Sequence, residues 1–134
     1  MTKIVGTSYF KLISCHPDLQ AVVHKASDIM DLSVICGHRN EHDQNAAYQA
    51  GKSTKQWPDS KHNAWPSHAV DILPYFDQGN PYDWDEHLAF ARLAGTLFAV
   101  AFSMGVKIRW GGDWNQNNRS NDERLLDLGH FELC

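Results

Sequence analysis

The stretch from Ser60 to Tyr75, SKHNAWPSHAVDILPY, constrains this chain more than any other. Its run Ala69-Val70-Asp71-Ile72-Leu73 has the composition of a short β-strand and is apolar except for one carboxylate. A bare carboxylate is seldom buried, because an apolar neighbourhood does not replace the hydration it loses. Asp71 therefore needs a compensating partner. A metal ion shared with His62, in the polar Pro-containing loop just upstream, would serve. A third ligand is available in Gly129-His130-Phe131-Glu132-Leu133, a second β-like run bearing a histidine. Two histidines and one carboxylate leave a position open for water, which is how catalytic zinc sites are built.

His68 competes with His62 for the ligand role. On a strand, residues three apart point to opposite faces, so a strand already begun at His68 keeps it away from Asp71. His62 lies in a loop and can fold back. By spacing alone, a solvated His62 and a turn-capping Asp71 describe the stretch as well as a metal site does, because two-ligand patterns arise often by chance.

The remaining elements set the fold class. Pro17 suits a first helical turn and Asp18 its positive end, which predicts a helix from Pro17 to about Met30 with Leu19, Val22, Val23, Ala26, Ile29 and Met30 as its apolar stripe. Ser33 to Cys36 reads as a strand ended by Gly37-His38-Arg39, with Cys36 as a small core residue. Glu41 to Ala50 reads as a helix closed by Gly51, and Lys52 to Ser60 as a loop. Leu88 to Val106 is long and mostly apolar. Its Arg92, Gly95, Thr96, Ser103 and Gly105 favour a core helix over a membrane span, with Phe90, Leu93, Leu97, Val100, Ala101 and Met104 inward and Phe98 and Phe102 as a second stripe. Lys107 to Trp110 reads as a strand. These elements predict an α+β fold, with helices packed on one face of a small antiparallel sheet and the site on the other.

Asp113, Asn115 and Asn117 alternate oxygen side chains as a calcium loop does, but Asn118 and Arg124 stand where an EF-hand needs Gly and Glu, so a plain surface loop is favoured over a Ca2+ site. Cysteine nucleophilic catalysis finds little support. Adjacent strand residues point apart at Cys36-Gly37-His38, Cys15-His16 lacks a third member, and Cys134 is terminal.

A chain of 134 residues suits one domain spanning 1–134, with no separate binding module or linker segment. The net charge of -4 disfavours nucleic acid or anionic membrane as a partner. Three cysteines without a C-x-x-C motif fit a reducing compartment, and Met1 to Cys15 lacks the apolar core of a signal peptide.

Ser60-Lys61-His62, Ala69-Val70-Asp71 and Asp127-Leu128-Gly129-His130 resemble, in this order, the S-x-H, A-x-D and [DE]-x-x-H pattern of the zinc peptidases that cleave bacterial cell-wall peptides. That family includes the D-alanyl-D-alanine carboxypeptidases, the D-Ala-D-Ala dipeptidases and the phage L-alanyl-D-glutamate endolysins. His16-Pro17-Asp18-Leu19, Gly37-His38-Arg39, Gln44, Gly51-Lys52-Ser53 and Gly111-Gly112-Asp113-Trp114 are similar to further family landmarks. One departure is the spacer from His62 to Asp71, which is longer than the compact version.

The resemblance implies the hedgehog-like fold of the D-Ala-D-Ala carboxypeptidases and one Zn2+ per chain on His62, Asp71 and His130. It implies Asp127 as general base and Arg39 over the metal site, binding a substrate carboxylate or the polarised carbonyl. Gln44, Ser60 and Trp114 are implied to contact substrate. Glu132 is a rival base by position, and the family pattern leaves it a supporting role, orienting a histidine ligand. A short chain with no visible signal resembles the endolysin branch: a monomer made in the host cytoplasm, released to the wall, and cutting the L-alanyl-D-glutamate bond of peptidoglycan stems. A D-alanyl-D-alanine carboxypeptidase or dipeptidase, or an inert wall-binding module of the same fold, is the alternative.

Overall fold

The computed structural model describes residues 4–77, 79, 81–121 and 126–134. Arg124, which entered the calcium reading, lies outside them. Four helices and four strands follow one another as α1 (Gly6–Leu12), α2 (Pro17–Ser27), β1 (Leu32–Cys36), α3 (Glu41–Gln49), β2 (Ala69–Pro74), α4 (His87–Met104), β3 (Ile108–Gly111) and β4 (Asp127–Leu133), with a 3-10 turn at Lys61–Asn63 before β2. All strand pairs are antiparallel, in the order β1-β2-β4-β3.

Local chemistry explains the helix starts. His16 caps α2, its ring Nδ1 accepting the Asp18 N–H at 3.0 Å, and Pro17 occupies the first turn, where a missing N–H costs nothing. Asn40 caps α3 by accepting the Asp43 N–H at 2.8 Å. α4 stops at Gly105, whose φ of 72° is the left-handed conformation that glycine takes most readily. The short α1 was not foreseen. It buries Leu12 alone, so it carries no apolar periodicity to read.

The sheet separates core from site by strand alternation. Val70, Ile72 and Phe131 point to one face and are fully buried with Leu19, Val22, Val23, Leu93 and Leu97 of α2 and α4. Burial of a side chain such as Phe131 stabilises the fold by about 1.5–3 kcal/mol. Asp71, directly opposite His130 in the register, turns to the other face. α4 is 18 residues long with a mean hydropathy of 1.4, enough in length and composition to cross a membrane, yet it packs across β2, β3 and β4 and against α2 as a core helix does.

Three packing expectations are corrected. α2 ends at Ser27, which leaves Ile29 about half exposed. Met104, in the last turn of α4, also faces solvent, and Phe98 and Phe102 form an outward stripe, Phe102 being 87% exposed. Cys36 is not in the core. A bulge between Val34 and Cys36 shifts the alternation, so Cys36 pairs with Asp71 and joins the site face.

The core cysteine is Cys15, fully buried, with its thiol pushed up to about 12 by burial and by nearby Cys36. All three cysteines are free. Iodoacetamide on the native protein is expected to label exposed Cys134 and to spare Cys15 until denaturant is added, because the thiolate is the reactive form. Equal labelling of the two, read by mass spectrometry of the native protein, would contradict this packing.

Candidate active site

The site is built around Asp71. Its Oδ1 lies 3.3 Å from His62 Nε2 and 3.0 Å from His130 Nδ1, and its Oδ2 lies 3.4 Å from Arg39 Nη2. Each imidazole is held from behind. His62 Nδ1 donates to the Gly37 carbonyl at 2.7 Å, and His130 Nε2 donates to Glu132 Oε1 at 2.9 Å. Fixing the outer nitrogen fixes ring orientation and points the other nitrogen into the site.

His62 is placed by its own turn. Ser60 Oγ accepts the His62 N–H, and Asn63 Oδ1 accepts the Ser60 N–H at 3.0 Å, closing a capping box. The Arg39 N–H bonds the His62 carbonyl at 2.9 Å, tying this turn to the end of β1. His68 is exposed, with its ring against His16, and takes no part. His42 is exposed on α3, and His38 hydrogen-bonds the Ala64 carbonyl.

β4 reaches β2 closely at Gly129. A Cβ there would meet the Ile72 carbonyl at 2.7 Å, so this glycine serves close approach of two strands. That approach sets Asp127 beside His130. Among the described residues candidate metal donors fall in two groups sharing Asp71, namely Cys36, His62 and Asp71, and Asp71, Asp127 and His130, so the two histidines join through Asp71 rather than within one group. Imidazole nitrogens and carboxylate oxygens with their outer atoms pinned fit a zinc ion.

The charges follow from these contacts. Burial disfavours the charged form of Asp71, but hydrogen bonds from His130 and His62 outweigh it and hold the carboxyl well below its usual range. Burial likewise opposes the His62 imidazolium, and the Asp71 hydrogen bond overrides it, pushing His62 up to about 10. His130 is raised against burial by Asp71 and Glu132. The pocket around Asp71 is therefore one that demands positive charge.

Glu132 is 5% exposed and fully engaged. Arg109 Nη2 bonds its Oε2 at 2.7 Å, Lys61 Nζ lies 3.4 Å away and also bonds the Leu133 carbonyl, and His130 holds Oε1. Against its burial, the His130 and Arg109 bonds bring it down to about 2. Asp127 is exposed at the cleft edge. There, desolvation by its surroundings and then the Asp71 charge push its carboxyl up.

These groups floor a cleft of about 300 Å³ whose walls include Ser60, Trp114, Lys52, Lys55 and Asp127. The Trp114 ring lies 5.3 Å from that of His130, and the Arg109 guanidinium lies over the Trp114 ring, 5.4 Å from its centroid. Gln44 departs from expectation. It is fully buried, out of substrate reach, because its amide is consumed by structure: Oε1 accepts from Arg39 Nη1 at 3.1 Å and Asn63 Nδ2 at 3.0 Å, while Nε2 donates to Ser53 Oγ and the Lys55 carbonyl. The Asp113 carboxylate oxygens accept the backbone N–H groups of Asn117 and Asn118.

Sequence reasoning missed Cys36, Asn63, Lys61 and Arg109. The Ser60-x-x-Asn63 spacing of a capping box was a usable signal for Asn63. Arg109 is legible only once the register sets it opposite Glu132. Gln44→Leu is expected to cost about 1–3 kcal/mol in denaturant unfolding, the usual penalty for stranding buried polar partners. An unchanged midpoint would show that Gln44 does not anchor this wall.

The chain was compared with known proteins. It is 28% identical over 128 residues to the L-alanyl-D-glutamate peptidase of Escherichia phage T5, covering 92% of this chain and 91% of that protein. The crystal structure of the L-Ala D-Glu endopeptidase ChiX of Serratia marcescens superposes with a TM-score of 0.76 at 26% identity, covering 99% of this chain and 90% of that one. The family model for phage L-alanyl-D-glutamate peptidases matches residues 1–134. With its α+β fold and its Asp71-centred cleft, this chain belongs to the phage L-alanyl-D-glutamate peptidase family and is a peptidase of peptidoglycan stem peptides.

Proposed function

We propose that this peptidase is a zinc enzyme in which His62, Asp71 and His130 hold the ion, Asp127 is the general base and Arg39 stabilises the oxyanion. The observation that carries the reading is the convergence of two pinned imidazoles on one depressed carboxylate at the floor of the cleft. A zinc ion bound there supplies Lewis acidity, acidifying the attacking water and polarising the scissile carbonyl.

The protein's own groups do the rest. Asp127, the carboxylate with raised proton affinity, takes a proton from the attacking water and returns it to the leaving amine of the D-Glu residue. Glu132, drawn down to about 2 and bonded on both oxygens, is unsuited to that exchange and orients His130 instead. The Arg39 guanidinium, steadied by Gln44, faces developing negative charge, an effect typically worth about 3 kcal/mol per well-placed donor. Ser60 and Trp114 line the walls where the stem peptide lies. The setting this reading implies is an endolysin acting as a monomer, made in a host cytoplasm and released to the wall.

Purified protein is expected to hold about one zinc per chain, as a three-ligand site implies. Chelation should abolish turnover and lower the melting temperature, since a ligand of the native state alone stabilises it. His62→Ala and His130→Ala should each lose zinc and activity, whereas His68→Ala keeps both. Metal analysis showing zinc retained in His62→Ala but lost in His68→Ala would reverse the assignment.

Asp127→Ala is expected to keep fold and zinc and to lose turnover by about 10²-fold or more, the scale of a lost general base. Digested sacculi should show new amino-terminal D-Glu by mass spectrometry, with free D-Ala-D-Ala left intact. Normal turnover by Asp127→Ala would pass the base role to another group.

A further inference from the structure

The chain carries a net charge of -4, yet four of its 12 basic Lys and Arg residues, Arg39, Lys52, Lys55 and Lys61, line the cleft that His62, His130 and Asp127 also line. Two of the four are committed. Arg39 is held by Asp71 and Gln44, and Lys61 by Glu132 and the Leu133 carbonyl. The ammonium groups of Lys52 and Lys55 have no ion-pair partner among the described residues.

The loop that presents them is built rather than slack. Backbone N–H groups of Lys52 and Ser53 both bond the Ala47 carbonyl, at 2.9 and 3.2 Å. Ser53 Oγ accepts the Lys55 N–H at 3.1 Å. Fully buried Gln44 grips the loop through Ser53 Oγ at 2.9 Å and the Lys55 carbonyl at 2.7 Å, while its other end holds Arg39. One buried amide thus sets the position of the lysine-bearing wall relative to the proposed reacting centre.

We infer that Lys52 and Lys55 are specificity residues that select stem peptides carrying a free carboxylate beside the scissile bond. This rests on the reading of the cleft as the peptidase site. In a stem the D-Glu residue is extended through its side-chain carboxyl, so its α-carboxylate stays free and lies next to the amide that is cut. Two uncommitted ammonium groups on a fixed wall complement that anion. Amidation of the same carboxyl to an isoglutamine removes the charge while keeping nearly the same shape, so charge alone separates the two substrates.

The test uses two synthetic peptides, N-acetyl-L-Ala-γ-D-Glu-L-Lys amide with the α-carboxyl either free or amidated. The intact zinc-loaded protein should prefer the free carboxylate by roughly three- to tenfold in kcat/KM, the scale of two exposed ion pairs. The preference should reside in KM and shrink at high salt, where exposed charges are screened. Lys52→Gln/Lys55→Gln should erase it, and Lys52→Arg/Lys55→Arg should retain it. Lys25→Gln, on the outer side of α2, should also retain it although it changes net charge equally per residue. Equal kcat/KM on both peptides by the unaltered protein, or an undiminished preference in the double Gln variant, would overturn the inference and leave the peptidase reading standing. Failure of the unaltered protein to cut either peptide after L-Ala would instead sink the reading beneath it, and this inference with it.

Discussion

A carboxylate placed in an apolar strand is the constraint on which the rest of this structure depends. Asp71 stands between fully buried Val70 and Ile72, with little exposure of its own. Burying that charge alone would cost far more than the strand's packing contributes. It is tolerated because three cationic or proton-bearing groups meet it: His62 from a 3-10 turn, His130 from β4 and Arg39 from the end of β1. These segments are distant in sequence, so the site can exist only when the whole sheet has closed.

Around this centre sits a frame of polar groups whose bonding capacity is used up. Gly37 and Glu132 fix the two imidazoles, Gln44 fixes Arg39, and Arg109 with Lys61 fixes Glu132. Among the described residues no buried side-chain nitrogen or oxygen lacks a partner. A fully satisfied network in a low-dielectric setting is stiff, and a partly satisfied one is costly, so single losses within it propagate. Stiffness here has a chemical use. Side chains pinned on their outer atoms keep a fixed spacing around Asp71.

The residues of the centre asked for partners, but their spacing left a solvated His62 and a turn-capping Asp71 open, and the family resemblance singled out His62, Asp71 and His130. A lone Asp in an apolar run asks for a partner, and alternation along Gly129 to Leu133 puts His130 and Glu132 on one face whatever the fold. The long core helix and the α+β class were legible from apolar period. What stayed hidden depended on tertiary placement. The bulge that turns Cys36 toward Asp71 is one residue of register and leaves no compositional trace. Gln44 read as a cleft residue because Gln on a polar helix is usually solvated, and only the packing of the 51–55 loop over it makes it interior. α1 lay unread since one buried leucine makes no pattern.

Three carboxylates sit on or beside two neighbouring strands, and their surroundings divide the work among them. Asp71 is drawn down by two imidazoles that bond it, so it stays an anion and suits a cation. Glu132, bonded by His130 and Arg109, is also drawn down, and each oxygen is already occupied. Among the described residues no such donor bonds Asp127. Partial desolvation and the neighbouring charge of Asp71 raise its proton affinity, and it opens on the cleft. A group that exchanges protons near neutral pH needs an affinity moved up toward the working range and a route to water. Of the three, only the environment of Asp127 moves that way. After desolvation, the same Asp71 charge that holds the two imidazoles is what raises Asp127, so one buried carboxylate biases the proton affinities of all three neighbours.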